Sequence, residues 1–226
     1  MSHLHLVDGV LEPVWWVLGY AITLGILGIA VTKVRKVELA KKVPFIGVIS
    51  ALMLITMSIP LGFLPVHLNL TVLAGILAGP WLGFIGVFIV NLILALIGHG
   101  GITAVGLNTL IIGVEVFAGS FVYKLLVNRI KPVKASIISV VIALLLSTSL
   151  MLGMLAAVNA NWEHALSHGD GHTSILHEGE PLEIGFFALS GWSAFVVILL
   201  SGIMLEALVT ALVVRFFMKV RPEMVI

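Results

Sequence analysis

Met1-Ser2-His3-Leu4-His5 sets an α-amine beside two imidazoles, a run of nitrogen donors with the spacing of a transition-metal chelate. An amine nitrogen, the deprotonated amide nitrogen of the next residue and that residue's imidazole Nδ1 close two small rings around a metal. The fourth corner of a square plane is then left open. Tetragonal nitrogen sites suit Ni(II) or Cu(II), whereas structural Zn(II) takes a tetrahedron. Serine at position 2 is small enough for Met1 to be removed, so the expected donors are the Ser2 amine and His3, with His67 filling the fourth corner. With Met1 retained, its amine, the amides of Ser2 and His3 and the His3 imidazole supply all four nitrogens. Spacing alone fits equally a terminus with incidental histidines.

Other candidates stand far along the chain. His67 follows Leu64-Pro65-Val66 at the head of a short apolar arm; polar groups at membrane depth tend to be partnered and functional, although a single histidine at a loop end is more often structural. His99 lies in Gly98-His99-Gly100-Gly101, a tight turn whose glycines allow close backbone approach. A hydrogen bond from there would orient a ligand imidazole, and Asn108 would serve similarly or simply bridge helices. The segment 159–183 carries His164, His168, His172 and His177 among Glu163, Asp170, Glu178, Glu180 and Glu183. Such tracts bind metal by composition, but Gly169 and Gly171 weaken any helix there. It reads as a weak collector that raises the local metal concentration, with a merely polar loop as the alternative.

Composition limits the rest. The chain is 60% hydrophobic and 10% charged with a mean hydropathy of +1.21, against about 25% charged residues in a soluble domain. Residues 1–226 therefore read as a single integral membrane domain with no soluble domain attached and nothing that points to nucleic acid. No cysteine is present, so every metal donor must be nitrogen or oxygen. Residues 1–13 hold two acids and no Lys or Arg, which argues against a signal peptide. A GxxxxGK[ST] phosphate loop is absent, so active transport would draw on a partner's ATPase.

The elements that must position these residues are helices. Apolar stretches run over 14–32, 44–64, 68–97, 102–123, 135–158 and 184–218. The loops rich in Lys and Arg, 33–42 and 124–134, belong in the cytoplasm. Parity between them holds only if 68–97 goes down and back, with its turn at Gly79-Pro80. The first arm is short for a span of about 20 residues and is expected to be re-entrant. The expectation is an all-α polytopic bundle of about seven membrane segments, N-terminus out and C-terminus in. All eight histidines then fall outside, with 159–183 an extracytoplasmic loop, and all twelve Lys and Arg fall inside. The acids Asp8, Glu12 and the five of the loop steer cations to the outer face. Glu115 and Glu206 lie within apolar stretches and are expected toward the cytoplasmic half, with Arg215 or an interfacial water as partner for Glu206. Small residues at Ala21 and Gly25, at Ala74 and Ala78, and at Gly75, Gly79 and Gly83 suggest close helix packing, the first row serving equally as a docking face.

His5-Leu6-Val7-Asp8-Gly9-Val10-Leu11, His67 ahead of Leu77-Ala78-Gly79-Pro80-Trp81, Gly98-His99-Gly100-Gly101-Ile102-Thr103 with Gly106 and Asn108, and Glu206-Ala207-Leu208-Val209-Thr210 occur in one order along nearly the whole chain. In this the chain resembles the CbiM/NikM-type substrate-binding membrane subunit of nickel/cobalt energy-coupling-factor (ECF) transporters. The resemblance implies a component without ATPase activity that captures Co2+ or Ni2+ at the outer face and needs no cofactor. Its implied partners are a CbiQ-type transmembrane coupling subunit, a CbiO-type cytoplasmic ATPase and a CbiN-type accessory membrane subunit, which is not fused after Ile226. It further implies metal ligation by the N-terminal amine, the histidine beside it and His67. One departure matters: members of this type begin Met-His directly, so the Asp8-Gly9 register selects His5 whereas adjacency to the amine selects His3. His3 is favoured, with His5 as an axial or substitute ligand. The rivals from other classes are an intramembrane metalloenzyme, which lacks HExxH, and a stand-alone cation exporter, which would need more mid-membrane polar residues.

Overall fold

The apolar stretches become helices in the computed structural model, which describes residues 6, 8–9, 12–34, 36–58, 67–157, 182–184, 187–189 and 191–225. In chain order the helices are α1 (Pro13–Lys33), α2 (Lys36–Ser58), α3 (Thr71–Ala78), α4 (Pro80–Leu96), α5 (Val105–Val127), α6 (Pro132–Ala157) and α7 (Gly191–Val220). Among the described residues these are seven helical segments, as the all-α expectation requires. Two short strands, β1 (Leu182–Ile184) and β2 (Phe187–Leu189), pair antiparallel before α7. The stretch 184–218 was expected to be helical throughout; its first residues form this hairpin instead, where Pro181 and Gly185 disfavour helix. The other difference is in α2, which begins at Lys36 and carries Pro44 inside it.

The break at Gly79-Pro80 is present. Gly79 has φ +91°, a conformation open to glycine, and Pro80 opens α4 with its fixed φ. With 8 residues, α3 is only about 12 Å long at 1.5 Å per residue. All of it but Ile76 is buried, so it is a short arm enclosed by protein. A Cβ at Gly83 would stand 3.3 Å from the Gly75 nitrogen, so the two arms of this hairpin touch through glycines.

The core is organised on α5, which packs against α1, α3, α4 and α6. At Gly106 it meets the α1 backbone: an added Cβ would lie 2.5 Å from the Tyr20 nitrogen and 2.6 Å from the Gly19 carbonyl carbon. Thr23 Oγ1 donates to the Gly106 carbonyl at 2.7 Å and Tyr20 Oη to that of Ile102 at 2.5 Å. At the far end, Tyr123 Oη donates to the Val225 carbonyl at 2.7 Å and fastens the C-terminal turn.

Outside, the bundle is apolar. Val14, Val17, Leu18 and Val31 of α1, Phe121 of α5 and Met204 and Leu208 of α7 are exposed, a surface a lipid phase would cover and water would not tolerate. The small-residue rows divide accordingly. Ala74 and Ala78 are buried, whereas Ala21 and Gly25 lie on the exposed side of α1.

Since the three atoms nearest an added Cβ at Gly106 are all backbone, they cannot yield by a side-chain rotation. Gly106→Ala is expected to cost about 1–3 kcal/mol from overpacking, read as a lower melting temperature in detergent. Gly25→Ala, with open space around it, should leave the transition in place or raise it slightly. Equal behaviour of the two variants would refute the close α1–α5 contact.

Candidate metal site

Two imidazoles meet at one end of the bundle. His67 is half-buried on the non-helical segment that precedes α3, and its ring stands edge-on to that of His99, with centroids 5.5 Å apart. His99 is aimed by the end of α4. The His99 amide donates to the Leu94 carbonyl at 2.8 Å and the Gly98 amide to that of Ala95 at 3.1 Å, while Gly98 takes φ +84°. These are the paired bonds that close a helix through a left-handed glycine. Thus Gly98 turns the chain, and the next residue is delivered toward His67.

The N-terminal segment is clamped beside this turn. Asn108, near the start of α5, uses its whole carboxamide on the main chain of Leu6: the Leu6 amide donates to Oδ1 at 2.9 Å and Nδ2 donates to the Leu6 carbonyl at 3.0 Å. That carbonyl also accepts from the Gly101 amide at 3.1 Å, and the Leu6 side chain is fully buried. Asp8 adds a latch. Its Oδ2 accepts from the Ile102 amide at 3.1 Å, and its Oδ1 from the Thr103 amide at 2.8 Å and the Thr103 hydroxyl at 2.5 Å. Asp8 was expected to serve as one of the cation-steering acids; here its carboxylate is taken up by donors of the His99 turn.

Deeper in the bundle, a buried polar cluster supports His67 from below. Glu115 and Glu206 are fully buried, each near the middle of its helix. Glu115 Oε2 accepts from Asn69 Nδ2 at 2.7 Å and Thr71 Oγ1 at 2.6 Å, and its Oε1 from Ser147 Oγ at 2.5 Å. The Asn69 amide faces Glu206 Oε2 at 3.4 Å. The two acids were expected apart from the histidines. They are joined to them because the segment 67–70 descends into the bundle and carries Asn69 and Thr71 down to both. Between these, Leu70 adopts φ 59°, ψ 16°, a left-handed conformation that costs a leucine roughly 1–2 kcal/mol and persists only where its surroundings enforce it.

Among the described residues no three His, Asp or Glu side chains converge as a metal site. Met1, Ser2, His3 and His5 lie outside the described residues, as do His164, His168, His172 and His177. Sequence reasoning singled out His67, His99 and Asn108 but missed the Asp8 latch and the roles of Asn69, Thr71 and Ser147. Asp8-Gly9 and Ile102-Thr103 were both visible as motif pieces; Asn69 was visible as the polar exception in an apolar arm.

An apolar-faced helical bundle, with four helices among the described residues long and apolar enough to cross a membrane and paired imidazoles at one end, is a membrane protein with a small polar site. The family described as the cobalt uptake substrate-specific transmembrane region, CbiM, matches residues 5–224. The chain belongs to the CbiM family and is a component of transmembrane metal transport. It is 29% identical over 230 residues to a protein of Methanocaldococcus jannaschii named for metal transport, covering 98% of this chain and 94% of that one. A crystal structure of a transition metal transporter superposes with a TM-score of 0.68 at 26% identity, over 96% of this chain and 93% of the other. A truncated transition metal transporter gives the same TM-score of 0.68 at 25% identity, over 96% and 99%.

The latch has a definite pH dependence. Partial burial pushes the Asp8 carboxyl up, but the Thr103 hydroxyl and the Thr103 and Ile102 amides together bring it below its ordinary value of 3.8. A group with a depressed folded-state pKa contributes in full above the unfolded value and is lost as pH falls through the folded one. Hydrogen exchange at the Ile102 and Thr103 amides, taken relative to intrinsic rates, should hold constant down to about pH 4 and rise only below it. Asp8→Ala should speed that exchange roughly three- to tenfold at neutral pH; unchanged protection would discard the latch.

Proposed function

We propose that this chain is the substrate-binding component of an ECF-type importer, a multi-pass protein of the prokaryotic cell membrane with its N-terminus outside and C-terminus inside. It captures Co2+ or Ni2+ at the outer face for ATP-driven uptake. The observation that carries the reading is the clamp of Leu6 by Asn108 against the turn bearing His99, whose ring meets His67. A chain advances at most about 3.6 Å per residue. The four residues before Leu6 can therefore reach no farther than about 14 Å from it, and on this reading nitrogen donors of the N-terminal run find a partner imidazole at that end of the bundle.

The ligands are the α-amine of Ser2, or of Met1 where it is retained, His3 and His67, with His99 and Asn108 orienting them. Amine adjacency favours His3 as the N-terminal imidazole; the anchoring of its neighbour Leu6 favours His5 as a second contributor. Such a nitrogen set suits the late divalent ions of the first transition row. His164, His168, His172 and His177 concentrate the metal near this site. Energy comes from a CbiO-type ATPase acting through a CbiQ-type coupling subunit, with a CbiN-type accessory protein, and the cobalt or nickel supplied would serve cobalamin synthesis or metalloenzymes.

Titration of the purified protein with Ni(II) and Co(II), its terminus defined by intact mass, tests this directly. One tight equivalent is expected, lost on acetylation of the α-amine or in His67→Ala. His3→Ala and His5→Ala should separate, the former losing the larger share. Replacing the four loop histidines should slow capture at scarce metal and spare the affinity. Strong metal uptake by vesicles holding this chain alone would overturn the assignment, as would full-affinity binding by the acetylated protein.

A further inference from the structure

The histidine that the proposed site depends on stands on a segment that makes no regular secondary structure, residues 67–70. What holds that segment is specific. Two residues past His67, Asn69 is gripped on both sides, its side chain by Glu115 of α5 and its main-chain amide by Glu206 of α7. Four residues past His67, the Thr71 hydroxyl bonds the same Glu115 oxygen as Asn69 does. Leu70 between them is held in a left-handed conformation. Ser147 fastens the other Glu115 oxygen to α6, so the carboxylate cannot swing away from the segment it holds.

We infer that Glu115, with Glu206 opposite it, is a positioning residue for the metal site, fixing the height and orientation of His67 through Asn69 and Thr71. The inference rests on the proposed function. Partners of ligating histidines commonly tune metal affinity by about 10- to 100-fold; here the same leverage passes through main chain, because Asn69 and Thr71 belong to the peptide that carries the ligand.

The geometry predicts an unusual pattern of substitution. In Glu115→Gln the amide oxygen can take the place of Oε2 and keep both bonds to Asn69 and Thr71. The amide nitrogen then faces Ser147, whose hydroxyl can accept it and donate to the Leu144 carbonyl, already 3.1 Å away. Glu115→Ala strands Asn69 Nδ2 and the Thr71 hydroxyl and frees the segment, while the Ser147 hydroxyl falls back on the Leu144 carbonyl.

The test is Ni(II) titration of the full-length protein, with the visible ligand-field spectrum of the bound ion recorded for each variant. Glu115→Ala is expected to weaken binding about tenfold or more and to change the spectrum, because the His67 imidazole is no longer held in place. Glu115→Gln should match the native protein in both readouts. Thr71→Val, which keeps the side-chain shape and removes only one of the three bonds to Glu115, is the milder change should the alanine variant fail to fold and should shift both partway. Tyr123→Phe, which removes a buried hydrogen bond at the opposite end of α5, should lower stability and leave affinity and spectrum alone. Three results would overturn the inference: native affinity and spectrum in Glu115→Ala or Thr71→Val, an equal loss in Tyr123→Phe, or a Glu115→Gln as impaired as the alanine variant. His67→Ala separates the two levels. Lost binding there with native binding in Glu115→Ala or, should that variant not fold, in Thr71→Val defeats the positioning role alone, whereas native binding in His67→Ala defeats the proposed site and this inference with it.

Discussion

A peptide that leaves helical geometry within a membrane must have its amides and carbonyls answered by protein, because lipid offers no hydrogen bonds. The segment 67–70 leaves helical geometry in the buried interior of an apolar bundle, where the same constraint holds, and much of that interior is arranged around it. Glu206 faces the Asn69 amide and the Leu70 carbonyl accepts from Ala74. Glu115 takes the side chains on either side of the left-handed Leu70. Two carboxylates deep in an apolar bundle would be costly ornaments elsewhere. In this position they are what allows a histidine-bearing stretch to be something other than a helix.

The same device recurs at the surface of the site. Leu6 is held by a carboxamide that imitates a neighbouring strand, offering one acceptor and one donor to a single residue, and Asp8 gathers three donors from the adjoining turn. Both irregular pieces that approach the imidazole pair are thus fixed by side chains of the regular elements. The regular elements gain their own precision from glycine. At Gly106 the α1 and α5 backbones touch, which sets Asn108, two residues on, at a fixed distance from whatever α1 carries ahead of it.

Much of this architecture was legible in the sequence because its causes are local. Apolar length gave the helices, basic loops ordered them, and Gly79-Pro80 disclosed the break. His99 and Asn108 stood out as polar residues in glycine-rich or apolar surroundings. The buried cluster was not legible, and Ser147 shows why. Serines in apolar helices commonly return their hydroxyl to their own backbone, as Ser139 and Ser149 do here toward Ala135 and Leu145. Nothing in the sequence distinguishes Ser147 from these; only the convergence of α5 and α6 gives it Glu115. Asp8 was legible as a charge but not as a latch, since its partners lie 94 and 95 residues away.

The division of donor atoms bears on selectivity. Hard cations such as Ca2+ and Mg2+ look for six or more oxygens, carboxylates foremost. At the imidazole end the Asp8 carboxylate already accepts three hydrogen bonds, and below it the Glu115 carboxylate accepts three more. Oxygen donors are therefore close to the proposed site but already engaged, and recruiting them would cost the contacts that hold the site together. On the proposed ligand set, the metal is chosen as much by the oxygens that structure withholds as by the nitrogens it offers. An ion content with imidazole and amine nitrogens is bound without disturbing either clamp, whereas an oxygen-seeking ion would have to undo one.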